Sequence, residues 1–146
     1  MITLIQREFL VEARLERAWN HLARVEHWPT WARHIRRIEL VPNGPLKSDS
    51  VGRIYLRNGI RSTFRMVEFN PYQNWKWVGP FLWLTVHYDH QFRAVEEGCT
   101  KLTWIVAAEG FADSLLGPIF ASIYRPNLAT AIPRLVQELK SAESST

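Results

Sequence analysis

The sequence predicts an α+β protein in which an antiparallel sheet of about seven strands packs against one long C-terminal helix, with two short helices after the first strand. Three observations predict it. Between Ile35 and Glu109, short apolar-polar segments recur and are separated by turn-forming residues, as in an antiparallel meander. Residues 15–35 and everything beyond Gly110 switch to helical spacing. Finally, 146 residues with 47% hydrophobic and 22% charged side chains suit one core, so residues 1–146 read as a single domain.

Residues 2–13 (ITLIQREFLVEA) alternate loosely, with Phe9, Val11 and Ala13 on one side and Glu8, Leu10 and Glu12 on the other, which is strand behaviour. Leu15, Ala18, Trp19, Leu22 and Ala23 then follow the i, i+3, i+4, i+7, i+8 pattern of an amphipathic helix. A second short helix carries Trp28, Trp31, Ala32 and Ile35 at helical spacing, with Pro29 in its first turn, where a missing N–H costs nothing. IRRIELV (35–41) returns to strand character, and PNGPLKSDS (42–50) is a loop.

Residues 51–57 and 61–69 form two strands joined through Asn58-Gly59, a two-residue hairpin signal, and Asn70-Pro71 ends the second. WKWV (75–78), LWLTVHYDHQF (82–92) and TKLTWIVAAE (100–109) supply three more strands, with turns expected at Gly79-Pro80 and Glu97-Gly98. Beyond Gly110, an apolar stripe from Leu115 through Phe120, Tyr124 and Leu128 to Leu139 predicts a long helix. Pro118, Pro126 and Pro133 interrupt it at a cost of ~3 kcal/mol for each interior position, so kinks or a break are expected near 125–127. SAESST is a polar tail expected to fray.

The composition excludes several classes. A formal charge of +4 and a pI near 9.6 give weak attraction to anions, modest beside a dedicated nucleic-acid binder, and the basic residues do not interleave with aromatics along an exposed strand. The single Cys99 excludes an intramolecular disulfide and favours a reducing compartment. The first residues, MITLIQREFL, lack the long uncharged core of a signal peptide, and the run Trp77–Val86 is about half the ~20 residues that span a bilayer. The expected location is cytoplasmic. There is no serine-elbow motif, and seven scattered glycines form no phosphate loop, so no cofactor is expected.

The chain resembles the START-like superfamily (SRPBCC), which includes Bet v 1-type proteins, and in particular its polyketide cyclase/dehydrase branch. The resemblance covers nearly the full length. It is carried by FLVEA leading into LERAWNHLARVEHWPTWARHIRRIEL, by VEFNPYQNWKW, and by HQFRAVEEGCTKLTWIVAAEG before the terminal helix. Trp19 matches an aromatic late in the first helix and Trp31 a Trp closing the second; Pro71 matches a Pro between central strands, and Gly98 and Thr100 a Gly-x-Thr turn. Ala13-Arg14 departs from the family's usual proline before the first helix. The resemblance implies a helix-grip fold, a curved sheet wrapped around the C-terminal helix with an apolar cavity between them. It implies no single reaction, since members include binders, carriers and cyclases.

Seven Trp, seven Phe and four Tyr are enough either to fill such a core or to line such a cavity, and composition does not separate the two. Strand alternation places His87 and Asp89 on one face and Tyr88 and His90 on the other, so the two histidines do not share a metal, and no metal site is expected. The face of Val86, Tyr88, His90 and Phe92 is the more apolar and is assigned to the interior, where His90 could move a proton. The same alternation puts Trp75 beside Trp77, and Leu102 with Trp104 and Val106. Trp75, Trp77, Tyr88, His90, Trp104, Phe120 and Tyr124 are therefore the candidate ligand-binding residues.

Binding of a small apolar or aromatic, lipid- or polyketide-like molecule is the leading reading, by a monomer or homodimer. A cyclase/dehydratase-type enzyme using His90 or Tyr88 is the alternative. A second alternative is a peripheral lipid carrier touching an acidic membrane through Arg33, Arg36, Arg37 and Trp28.

Overall fold

A computed structural model describes residues 2–81, 84–110 and 116–144, and of residues 116, 117 and 141–144 the backbone alone. Strand β1 (Ile2–Val11) is followed by helix α1 (Leu15–Ala23) and a 3₁₀ helix (Val25–Thr30). Six strands follow: β2 (Ile35–Val41), β3 (Val51–Leu56), β4 (Arg61–Asn70), β5 (Asn74–Phe81), β6 (Leu84–Glu96) and β7 (Cys99–Glu109). Helix α2 (Leu116–Ser144) closes the chain. The seven strands form one antiparallel sheet in the order β1-β7-β6-β5-β4-β3-β2. This is the curved helix-grip arrangement expected from the sequence.

One face of the sheet is the core. Its fully buried residues include Val11, Trp75, Val86 and Leu102, and α2 contributes Leu135 and Leu139 from the opposite side. The predicted stripe of α1 is realised, with Ala18, Trp19, Leu22 and Ala23 buried. Trp19 meets Trp75 edge-on at 5.1 Å and Phe92 at 5.0 Å, so this helix is docked onto the sheet by its tryptophan. Arg14 provides no side-chain cap to α1. The chain entering α1 is instead held from β7, where the buried Thr100 hydroxyl donates to the Ala13 carbonyl at 2.8 Å. That bond gives the Gly98-x-Thr100 turn a structural role. Gly98 takes the positive φ of 74° that the tight β6–β7 turn requires.

Four expectations change. Gly79-Pro80 is not a turn but lies inside β5. A Cβ at Gly79 would collide with the backbone carbonyl of Thr63, so only glycine lets β4 approach there. Pro80 is tolerated because the β4–β5 ladder has ended at Arg65↔Val78, leaving its missing N–H without a required partner. Pro29 sits late in the 3₁₀ helix rather than in a first turn, and Ile35 already belongs to β2. The hairpin after β3 spans residues 57–60, closed by Leu56 N donating to the Ile60 carbonyl at 2.9 Å, with Gly59 at φ 91°.

Finally, α2 is helical throughout, across Pro126 and Pro133, from Leu116 to Ser144. Both prolines are exposed, as are Ser122 and Ala129, whose carbonyls lose their i+4 donors. On that exposed side of the helix a carbonyl that loses its donor can be hydrated instead, so the prolines do not force a break. Pro118 falls in the first turn, where it is compatible with the helix. Leu82, Trp83 and Leu115, expected in β6 and in the helical stripe, lie outside the described residues.

Candidate functional site

The register of the three central strands assembles the candidate site. Trp75 of β5 pairs with His90 of β6, which pairs with Trp104 of β7, and Trp77 pairs with Tyr88. The row Trp75, His90, Trp104 therefore crosses three strands on the inner face. His90 stacks on Trp75 at 4.9 Å and 25°. Its ring also lies 4.8 Å from Trp77 and 6.0 Å from Trp104.

A fourth indole, expected from sequence at a membrane surface and not among the candidate ligand-binding residues, is Trp28, 5.9 Å from His90 and 5.5 Å from Trp77. Its N–H donates to the Leu22 carbonyl at 2.8 Å, which fixes the 3₁₀ helix over the sheet. Phe64 stacks on Trp77 at 4.2 Å and Phe9 meets Trp104 edge-on at 4.9 Å. The position of Phe9 on the side of Val11 was the sequence signal for it.

The remaining candidates form a second aromatic group. Phe120 and Tyr124 stack one turn apart on α2 at 5.4 Å, Tyr88 lies 6.0 Å from Tyr124, and Phe81 meets Phe120 at 4.8 Å. Between the two groups is a void of about 10 Å³ lined by Tyr88, His90, Trp104, Val106, Tyr124 and Leu128. That volume admits about one water molecule. Among the described residues the aromatics thus fill this region. A larger recess, about 620 Å³, opens on the outer face of the sheet and is polar, with Gln6, Glu68, Asn74, Asp89 and Gln91 in its lining.

Burial pushes His90 down to about 4, against a smaller opposing pull from the Asp89 carboxylate and the backbone of Trp75 and Tyr88. The imidazole is therefore neutral at neutral pH. Its Nδ1 has no hydrogen-bond partner among the described residues, and neither do the indole nitrogens of Trp75 and Trp104. Buried polar atoms without partners are uncommon, and these three belong to adjacent residues of one row. Burial raises both phenols, Tyr88 with a contribution from Tyr124, and Tyr124 to about 12, so both remain hydrogen-bond donors.

The other histidines sit elsewhere. His87 faces outward, 3.6 Å from Glu109. His21 bonds the Glu138 carboxylate of α2 at 2.8 Å, and the Thr30 hydroxyl donates to the same carboxylate at 2.9 Å. Burial lowers both His21, against the pull of Glu138, and His34. Trp28 is only 7% exposed, so it is not available to a membrane surface, whereas Arg33, Arg36 and Arg37 are exposed. No cluster of three or more His, Cys, Asp or Glu suited to a metal ion occurs among the described residues, and no described helix is long and apolar enough to cross a membrane.

The model of one family, described as polyketide cyclase / dehydrase and lipid transport, matches residues 3–142. The chain belongs to that family. No curated protein sequence matches it significantly. Among solved structures, hypothetical protein jhp0584 from Helicobacter pylori is similar with a TM-score of 0.75 at 13% identity, over 92% of this chain and 86% of that one. The Zhui aromatase/cyclase from Streptomyces gives 0.71 at 12% identity, over 93% and 92%. The di-domain ARO/CYC BexL gives 0.74 at 15% identity, over 93% of this chain and 46% of that one. At these identities the likeness shows a shared fold. Family membership supports a ligand-binding or cyclase-type role for this member without deciding between them.

Proposed function

We propose that this polyketide cyclase/dehydrase family member binds a small apolar or aromatic molecule bearing oxygen functions, between the inner face of the sheet and α2. The observation that carries this reading is the row of unpartnered buried nitrogens on Trp75, His90 and Trp104 within an otherwise aromatic environment. The aromatic faces suit a planar apolar skeleton. The indole N–H groups and the Tyr88 phenol offer donors to its oxygens, and the neutral imidazole can accept or donate. Because the void is about 10 Å³, in this reading a ligand is admitted by lining residues moving apart, Tyr124 and Leu128 of α2 among them.

We rank binding above the cyclase/dehydratase alternative on the burial of His90. A base held near 4 is far below the range in which proton transfer at neutral pH is most effective. Two structural neighbours, BexL and Zhui, are aromatase/cyclases, and this likeness keeps catalysis as the second reading, with His90 and Tyr88 as its groups.

Titration with hydroxylated anthraquinones, read by tryptophan fluorescence, tests the proposal. Saturable quenching that His90→Gln weakens by roughly tenfold, the worth of one buried hydrogen bond, is expected. Quenching unaffected by His90→Gln and by Trp104→Phe would remove the site from this row.

A further inference from the structure

The outer face of β2, β3 and β4 has a chemistry that ligand binding does not use. The register aligns Arg37 with Tyr55 and Arg61, Glu39 with Arg53 and Thr63, and Val41 with Val51 and Arg65, in three successive rows on that face. Within these three rows four arginines stand with one carboxylate, Glu39, and all four are exposed; Glu68, also outward on β4, lies beyond them in the recess. Arg37 lies over the Tyr55 ring at 4.3 Å and 3.6 Å from Glu39. Arg53, Arg61 and Arg65 form no ion pair among the described residues. β2 is the edge of the sheet, and Arg36, exposed at its bulge, extends the charge around that edge. Val41 and Val51, paired across β2 and β3, remain 65% and 45% exposed.

We propose that this face docks the protein on an anionic lipid surface. The arginines supply the charge complement. None of them lines the recess on the other half of the outer face, so the patch is an open sheet surface. Two exposed valines among the charges favour a bilayer over a nucleic acid, because a headgroup layer can take up apolar side chains and a phosphodiester backbone cannot. Each basic group near such a surface strengthens binding about fivefold, and the attraction decays over about 8 Å at physiological salt, so the contact is reversible and salt-sensitive. It also relocates membrane contact from Trp28, which is buried, to a face carrying no part of the aromatic site.

The test is co-sedimentation of the full chain with phosphatidylcholine vesicles, with and without phosphatidylserine. Binding is expected only when phosphatidylserine is present, and high salt should release it. Arg53→Gln with Arg61→Gln should lower partitioning roughly 30-fold at low salt. Arg93→Gln with Lys101→Gln, on the other half of the outer face, should leave it unchanged. Near-UV circular dichroism of the tryptophans confirms that each variant is folded. Equal binding to neutral vesicles, no binding to acidic ones, or an arginine pair without effect would overturn the proposal. Retention on duplex RNA without vesicle binding would overturn it in favour of a nucleic-acid partner. Vesicle partitioning is read without the aromatic ligand, so its failure and that of the ligand-binding proposal are distinguishable.

Discussion

His90 couples the candidate site to pH. Its folded-state value of about 4 lies below the ordinary 6.5, so the unfolded chain takes up this proton first as pH falls. The stability associated with the neutral imidazole is fully present above about 6.5 and is lost as pH falls toward 4, by up to about 3 kcal/mol. His21 and His34 are shifted in the same direction and add to that slope. Urea melts across this interval should show His90→Gln with a shallower pH dependence than the parent chain; an unchanged slope would mean that His90 is solvated in solution. The Glu138 carboxylate ties α2 to both α1 and the 3₁₀ helix through His21 and Thr30, and Glu138→Leu should cost roughly 1–2 kcal/mol in the same assay. At this scale the alternation of His87, Tyr88, Asp89 and His90 was legible from period 2 alone. Trp28 beside His90 was not, because nothing local in VEHWPT encodes a contact across to β6.

Elements were legible where local chemistry and tertiary context agree. The α1 stripe and the Glu97-Gly98 turn are such cases. Gly79-Pro80 misled because the same dipeptide serves a turn and a strand that outlasts its neighbour's ladder. Gly79→Ala should destabilise by about 1–3 kcal/mol, since the added methyl meets the Thr63 carbonyl and β4 must shift; a thermal melt matching the parent would show that β4 yields freely. In α2 the prolines misled for a different reason, since their cost depends on which side of the helix they occupy. Both face water, so Pro126→Ala should raise the melting temperature by restoring the bond to Ser122, with an upper bound of about 3 kcal/mol.

For the whole molecule, the fold followed from element order, but the state of its interior did not. The aromatic residues that could line a cavity, Tyr88, Trp104 and Tyr124 among them, close it to about 10 Å³, and neither composition nor periodicity encodes which of the two they do. Tyr124→Ala should cost about 2 kcal/mol and speed anthraquinone entry by enlarging that void; slower or weaker binding would make Tyr124 a ligand contact instead.

The sheet order also bears on how the chain is made. Each strand from β2 to β7 finds its partner in the segment just before or after it, but β1 pairs with β7, Ile2 lying against Ala108. On the ribosome, β1 emerges well before β7 and must wait for it. Until β7 emerges, Ile5, Phe9 and Val11 remain uncovered on an unpaired strand. A translational pause before β7 would therefore leave the nascent chain presenting an apolar strand, the kind of segment that holdase chaperones engage.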